Sequence, residues 1–140
     1  MATPDTKHTM TVHASTENLA QVRNFVAKHA STFGFKKEEI SDMRLAVDEA
    51  FTNIIKHAYE NDENQSVKIA LSENHNTFSI SLFDTGKSFS MENYREPDVE
   101  EKIRQKKRGG VGVYLIRQLM DDVNYSQQGP RNEIRMTKKR

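Results

Sequence analysis

The chain has 140 residues, which is the size of one ordinary domain. Its 21 Lys and Arg residues nearly balance its 20 Asp and Glu residues, and the formal net charge of +1 argues against a general nucleic-acid binder. The sequence has no cysteine, which excludes disulfides and thiolate metal sites. No apolar run approaches the roughly 20 residues of a membrane span. A cytoplasmic domain with no direct contact to nucleic acid or membrane is expected.

The N-terminal part of the chain predicts one strand and one helix. Residues 1–8 are polar and are expected to be poorly ordered, with a single domain over residues 9–140. Residues 9–14 alternate in polarity, which predicts an edge strand. Five apolar residues then recur at helical spacing before Gly34, which is a typical helix stop. They are Leu19, Val22, Val26, Ala30 and Phe33.

A second helix is predicted over residues 37–59, where apolar positions are separated by steps of three and four. They are Ile40, Met43, Val47, Ala50, Ile54 and Ala58. Residues 85–110 have no long periodic pattern, and a loop of this length predicts a functional or mobile segment, with a mobile lid at about residues 87–110. A short helix over residues 98–105 is an alternative within it.

The remaining segments define the fold class. Alternating apolar residues predict strands at 67–71, 78–82, 123–126 and 134–138, and helical spacing returns over residues 111–120. Short turns join strands that neighbour in sequence, so the sheet is expected to be mostly antiparallel. The prediction is an α+β fold, a two-layer sandwich in which three helices cover one face of the sheet.

Glu49 and Asn53 lie one turn apart on the predicted second helix. With about 100° per residue and the core direction set by positions such as Val47 and Ala50, both fall on one flank that borders the buried stripe. A carboxylate beside an amide supplies the oxygen ligands that Mg²⁺ prefers, and the carboxylate is alternatively a proton acceptor. An isolated Glu/Asn pair more often lines a solvated helix face, so a functional role needs support from other motifs.

Residues 84–89, with the sequence DTGKSF, directly follow a predicted strand. Asp84 at a strand end can accept a hydrogen bond from an exocyclic amine. Gly86 would let the backbone come close to a flat ring. Ordinary turns have the same composition, so this motif alone is weak.

Residues 108–113, with the sequence RGGVGV, lead into a predicted helix. Glycines at a helix start free backbone N–H groups to face an anion, which the helix dipole also favours, and Arg108 adds a cation. Gly112 argues against a plain linker, because glycine in a first turn costs about 1 kcal/mol relative to alanine. No Lys-Ser or Lys-Thr follows the glycines, so the segment is not a Walker loop.

The order of these three motifs resembles the ATP-binding superfamily shared by gyrase, histidine kinases, the mismatch-repair ATPase and a heat-shock chaperone. Within it, the chain is similar from about residue 9 to residue 138 to the small anti-sigma-factor serine kinases of bacterial partner-switching systems. Three runs carry the similarity: residues 46–59 (AVDEAFTNIIKHAY), 109–116 (GGVGVYLI) and 119–123 (LMDDV). The resemblance implies a Bergerat-type ATP-binding fold and a serine/threonine protein kinase that uses ATP and Mg²⁺.

The resemblance also implies a role for each motif residue. Asn53 would hold Mg²⁺, and Glu49 would be the general base that activates the attacking hydroxyl. Asp84 would bind the adenine amine, with Gly86 allowing the ring to approach. The residues around the phosphates, as part of the lid, would be Arg108, Gly109, Gly110, Val111, Gly112 and Val113.

The implied partners are an anti-anti-sigma protein as the phospho-acceptor and a sigma factor as the sequestered target, and a homodimer is expected. Arg23 matches a position used in partner contact. Family members often have Gly-Thr before the last strand, whereas residues 129–132 here are GPRN. Either Asn132 replaces that threonine near the adenine, or the contact is lost.

Three other functions stay open from the sequence. The first is a detached ATP-binding domain of a histidine kinase, although nothing resembles a dimerisation helix with a phospho-accepting histidine. The second is a nucleotide-sensing module that sequesters a partner without phosphotransfer, against which the presence of both Glu49 and Asn53 argues. The third is a structural domain without a ligand.

Overall fold

The computed structural model describes residues 6–87 and 109–140, which form one five-stranded sheet and three α-helices. The strands are β1 (Thr6–His13), β2 (Ser66–Glu73), β3 (Thr77–Asp84), β4 (Asp122–Gln128) and β5 (Arg131–Lys139). The helices are α1 (Leu19–Phe33), α2 (Lys37–Asn53) and α3 (Gly109–Leu119), and a π-helical segment (Ile54–Ala58) continues α2. These elements confirm the predicted α+β class.

The strand order in the sheet is β1-β2-β3-β5-β4, and every neighbouring pair is antiparallel. A polar turn joins β2 to β3, and the Asn74 side chain stabilises it by accepting hydrogen bonds from Asn76 and Thr77. Gly129, at φ +59°, supplies the left-handed residue of the turn between β4 and β5. The antiparallel sheet and the edge position of β1 are therefore confirmed.

The hydrophobic core lies between the helices and one face of the sheet. Alternate residues of the central strands are buried, as the period of a strand requires. The buried strand residues are Val67, Ile69, Leu71, Phe78, Ile80, Leu82 and Met136. Among the predicted helix positions, the buried ones are Val22, Val26, Ala30, Met43, Val47, Ala50 and Ile54. Leu19, Phe33, Ile40 and Ala58 pack against this core from partly exposed positions.

Helix α1 ends at the predicted stop. Gly34 has a φ of +112°, in the left-handed region that favours glycine. The Arg140 guanidinium donates hydrogen bonds to the carbonyls of Phe33, at 2.8 Å, and of His75, at 3.0 Å. Arg140 thereby ties the end of α1 to the turn between β2 and β3.

Helix α2 is shorter than predicted. The α-helical pattern expected over residues 37–59 ends at Asn53, and the wider π-helical segment follows, in which the Tyr59 N–H donates to the Ile54 carbonyl at 2.9 Å. Sequence spacing missed this change because apolar steps of three and four continue through the segment. The π turn accompanies burial of the consecutive residues Ile54 and Ile55. Such turns occur frequently at functional sites.

Other boundaries also differ from the predictions, and β5 begins at Arg131, three residues before the predicted start. β1 begins at Thr6 because residues 6–8 pair with β2, so poor order stays a prediction only for residues 1–5, which lie outside the described residues. α3 begins at Gly109, two residues before the predicted start. The optional helix over residues 98–105 and nearly all of the lid at about residues 87–110 also lie outside the described residues. Within the described ranges, no helix has the length and apolar character to cross a membrane.

Candidate active site

Glu49 and Asn53 are oriented by the apolar face of α2. Val47 and Ala50 are buried against the core, which leaves Glu49 and Asn53 half-buried at its border, as predicted. Neither of these polar side chains has a hydrogen-bond or ion-pair partner among the described residues. Two oxygen-bearing groups one helical turn apart are therefore available to a cation or to a hydroxyl group.

Asp84 is the last residue of β3 and is 4% exposed. Its Oδ1 accepts a hydrogen bond from the Gly86 backbone N–H at 2.9 Å and another from Nδ2 of Asn132 at 2.9 Å. Asn132 is its direct partner in the pairing of β3 with β5. These bonds fix the orientation of the buried carboxylate, because a buried polar group is stable only with partners.

Asn132 is fully buried and lies between Asp84 and Gly86. Its Nδ2 donates to Asp84 Oδ1 and, at 3.0 Å, to the Gly86 carbonyl. Its Oδ1 has no hydrogen-bond partner within the described residues. An unpaired buried acceptor costs about 1–3 kcal/mol, and a ligand N–H would remove that cost. The sequence left open whether Asn132 reaches this site, and the fold brings it to Asp84 and Gly86.

Gly86 packs against the end of the π-helical segment. A Cβ atom at Gly86 would overlap the Ala58 carbonyl oxygen and lie 2.5 Å from the Ala58 carbonyl carbon. The same oxygen accepts a hydrogen bond from the Lys87 backbone N–H at 2.9 Å. Glycine is therefore needed where the turn after β3 meets the segment that continues from Asn53. The predicted approach of a flat ring to Gly86 stays a prediction, and the close neighbour of Gly86 in the structure is the protein backbone at Ala58.

Tyr59 connects three elements beside the site, and the sequence did not predict this role. Its buried hydroxyl donates to the Ser66 carbonyl at 2.7 Å and accepts from the Thr85 backbone N–H at 2.9 Å. Tyr59 thus joins the end of the π-helical segment, the start of β2 and the turn after β3. The sequence signal for it was an aromatic residue with a polar tip at the end of an apolar helical pattern.

Tyr59→Phe is expected to lower the free energy of unfolding by about 1–3 kcal/mol, because it removes the hydrogen bonds of the hydroxyl to the Ser66 carbonyl and from the Thr85 N–H. Urea denaturation followed by circular dichroism measures this change. Tyr114→Phe is the matched control, since the Tyr114 hydroxyl has no hydrogen-bond partner among the described residues. An equal loss in both variants would contradict the role of Tyr59.

Arg23, for which the resemblance implies partner contact, forms an ion pair across the helix layer. Its Nε lies 3.2 Å from Oδ1 of Asp48 on α2. Burial raises the pKa of the Asp48 carboxyl, while Arg23 and Arg44 act in the opposite direction. Arg23 therefore connects α1 to the stretch of α2 beside Glu49, and its contact with a partner stays a prediction.

The glycine-rich segment begins α3 as the sequence predicted. Gly109 and Gly110 are the first two residues of this helix, and Val111, Gly112 and Val113 continue it. α3 packs against α2, the helix that bears Glu49 and Asn53. Arg108 and the preceding residues from 88 onward lie outside the described residues.

A surface cavity of about 250 Å³ lies on the turn after β3. Its lining residues are Ala58, Tyr59, Glu60, Asp62, Gln65, Thr85, Gly86 and Lys87. An ion pair between Lys87 and Glu60 lies at this cavity. None of Glu49, Asn53, Asp84 and Asn132 lines it, so the cavity adjoins the predicted site and is not the site itself.

Sequence comparison identifies relatives over most of the chain. Residues 12–138 match the family model described as the histidine kinase-like ATPase domain. The chain is 33% identical over 123 residues to the serine-protein kinase RsbW of Oceanobacillus iheyensis, which covers 85% of this chain and 78% of the relative. It is 34% identical over 127 residues to the protein of the same name from Listeria monocytogenes, covering 88% and 81%.

Two solved structures share the fold. The RsbU and RsbW domains of Rv1364c from Mycobacterium tuberculosis align with a TM-score of 0.68 at 15% identity, over 96% of this chain and 33% of that one. The SiaB–SiaC complex from Pseudomonas aeruginosa contains a chain that aligns with a TM-score of 0.70 at 13% identity, covering 93% and 88%. Together with the motif order and the geometry of the site, these matches show that the chain belongs to the histidine kinase-like ATPase domain family and, within it, to the serine-protein kinases of the RsbW type.

Proposed function

We propose that this chain is an ATP-dependent serine/threonine protein kinase that phosphorylates an anti-anti-sigma protein and sequesters a sigma factor. The observation that carries the proposal is the docking of the Asp84–Gly86 turn onto the helix unit that bears Glu49 and Asn53, through Ala58. That contact connects the turn that bears Asp84 to the helix unit that bears Glu49 and Asn53, which supports one nucleotide site formed by both.

The donor set of the site fits ATP with Mg²⁺. The amide oxygen of Asn53 and the carboxylate of Glu49 are the hard oxygen ligands that Mg²⁺ takes, and neither has a partner among the described residues. When bound, Mg²⁺ offsets the charge that develops on the transferred phosphoryl group. Asn53 is assigned to hold the ion.

Glu49 is assigned as the general base. Its half-buried carboxylate can accept the proton of an incoming serine or threonine hydroxyl while remaining open to solvent on one side. Phosphoryl transfer depends mainly on positioning and charge neutralisation, so a single base beside the phosphates is sufficient.

The adenine-binding end of the site is assigned to Asp84, Gly86 and Asn132. Hydrogen bonds from the Gly86 N–H and from Asn132 hold Oδ1 of Asp84 in place, and the Asp84 carboxylate accepts a hydrogen bond from the exocyclic amine of adenine. The unpartnered Oδ1 of the buried Asn132 supports a second acceptor role toward an N–H group at the same place. Asn132 thus replaces the threonine that the family often has there.

The phosphate-binding end is assigned to the start of α3. Gly109, Gly110 and Gly112, with Val111 and Val113 between and after them, belong to a helix start whose backbone N–H groups and dipole favour an anion. Arg108 is assigned to the γ-phosphate, as a cation at the end of a lid over about residues 87–110.

The proposed partners are those of the kinase family to which the chain belongs. The acceptor is a serine or threonine hydroxyl of an anti-anti-sigma protein, and the similarity to serine-protein kinases of the RsbW type supports the serine. A sigma factor as the sequestered target, a homodimer and a cytoplasmic location complete the proposal. Arg23, in part exposed beside its ion pair with Asp48, is assigned to the partner surface.

A phosphotransfer assay tests this function. The chain is incubated with Mg²⁺ and γ-labelled ATP together with small anti-anti-sigma proteins encoded near it, and the label is followed by phosphoamino-acid analysis. Acid-stable phosphoserine or phosphothreonine on the partner is expected. Acid-labile phosphate would indicate histidine-kinase chemistry, and nucleotide-dependent capture of the partner without label would indicate a binding module.

A further inference from the structure

A second cluster of ligand-type side chains lies away from the proposed nucleotide site, on the first edge of the sheet. His8 is on the helix-facing side of β1, in alternation with Met10 and Val12, which pack in or against the core. Glu73 lies at the end of β2 on the same side, in alternation with the buried Leu71. His29 of α1 completes the group, so that three separate elements each contribute one ligand.

The geometry of this cluster is compact. One ligand atom from each of His8, His29 and Glu73 can be chosen so that all three lie within 4.8 Å of one another. Nε2 of His8 is 3.6 Å from Oε1 of Glu73, and the two imidazole rings stack with centroids 3.8 Å apart. Zn²⁺ binds histidine nitrogen and carboxylate oxygen at about 2.0–2.2 Å, which separates tetrahedral ligand atoms by about 3.4 Å. To bind one ion, the ligand atoms must approach one another by up to about 1.4 Å, and the two imidazoles must rotate out of their stacked arrangement so that a nitrogen of each points to the ion.

Phe25 packs against His29 in an edge-to-face arrangement, with the two ring centroids 5.1 Å apart. All three ligands are half-buried, so water does not fully screen them.

A simple ion pair accounts for only part of this arrangement. One histidine is enough to pair with Glu73, whereas here a second imidazole stacks on the first and has a nitrogen within 4.8 Å of the same carboxylate. A shared divalent cation satisfies both rings and the carboxylate at once.

We infer that His8, His29 and Glu73 form a binding site for a Zn²⁺-type divalent cation, with a water molecule as the fourth ligand. The two-nitrogen, one-oxygen set selects a borderline metal over Mg²⁺, which prefers oxygen ligands and octahedral geometry. The site is separate from Glu49 and Asn53. The bound ion joins the edge strand β1 to α1 and to β2.

Titration of the metal-free full chain with Zn²⁺, without nucleotide, tests the inference. Calorimetry is expected to give one saturable site, and thermal unfolding is expected to shift upward with Zn²⁺. His8→Gln, His29→Gln and Glu73→Gln are each expected to weaken binding by at least tenfold, because even residues that only support a metal ligand contribute 10–100-fold. His13→Gln is the matched control, since His13 lies exposed on the same strand; its affinity should not change.

Cobalt spectroscopy of the unmodified chain covers the case in which a variant does not fold. An intense visible spectrum typical of four-coordinate Co²⁺ is expected, and addition of Zn²⁺ should abolish it. Absence of saturable binding, a six-coordinate spectrum, or equal affinity in His13→Gln and in the three ligand variants would overturn the inference. These readouts do not depend on ATP, so they leave the proposed kinase function untouched whichever way they fall.

Discussion

Glu49→Gln is expected to reduce phosphoryl transfer to the partner by about 10²–10⁴-fold, which is the usual contribution of a general base. Glutamine keeps the size and the half-buried packing of the side chain but cannot accept the proton. The affinity for ATP should stay within a few-fold, because the proposed nucleobase contacts of Asp84 and Asn132 do not involve Glu49. Single-turnover transfer rates and an equilibrium titration with ATP measure the two quantities separately.

Asn53→Ala is the contrasting variant one helical turn away. Loss of its amide oxygen should weaken binding of ATP in the presence of Mg²⁺ and leave the smaller affinity measured with EDTA unchanged. The two variants together separate a proton acceptor from a metal ligand. If Glu49→Gln transfers phosphate at the rate of the unmodified chain, Glu49 is not the base, whatever Asn53→Ala does.

Gly86→Ala is expected to disrupt the site through backbone overlap. The added methyl group would overlap the Ala58 carbonyl oxygen and lie 2.9 Å from Cδ1 of Tyr59, and the carbonyl is backbone that cannot rotate away. Overpacking of this kind costs about 1–3 kcal/mol of unfolding free energy. Because the turn must also move, the Asp84 carboxylate loses its bond from the Gly86 N–H and ATP affinity should fall with stability. Thermal unfolding and ATP titration measure both effects.

Gly129→Asn is the matched control for this substitution. A Cβ at Gly129 meets no atom within 4 Å, and asparagine tolerates the positive φ of that turn better than other residues do. Its stability should change by much less than that of Gly86→Ala, and its ATP affinity should not change. Unaltered stability and ATP affinity in Gly86→Ala would contradict the close packing of the turn on Ala58.

The fold class could be predicted from the sequence because its signals are local. Alternating apolar residues in β2 and β3, steps of three and four in α1 and α2, and Gly34 at a helix end each reflect the geometry of one element. Short turns between strands then require an antiparallel sheet. The positions of the motif residues on their elements could also be predicted, since Glu49 and Asn53 share a helix flank and the two glycine segments follow a strand or begin a helix.

Contacts between elements could not be predicted in the same way. The apolar spacing does not change where the α-helix becomes a π-helix after Asn53. The Ala58 carbonyl, which packs against Gly86 and accepts a hydrogen bond from the Lys87 N–H, is a backbone group that every residue has. The hydrogen bonds of Tyr59 depend on Ser66 and Thr85, which reach it only through the sheet. Side-chain type alone says nothing about such partners.

Sequence by itself determined the helix flank that bears Glu49 and Asn53, the order of the three motifs and the family to which the chain belongs. Only the tertiary structure decided that Asn132 meets Asp84, because that contact follows from the register of β5 against β3. The same holds for the cluster of His8, His29 and Glu73, whose members lie far apart in sequence and meet where the edge strand, the first helix and the second strand pack together. The physical reason is that periodicity sets the face of each element, whereas the side chains that share a site are set by the packing of one element on another.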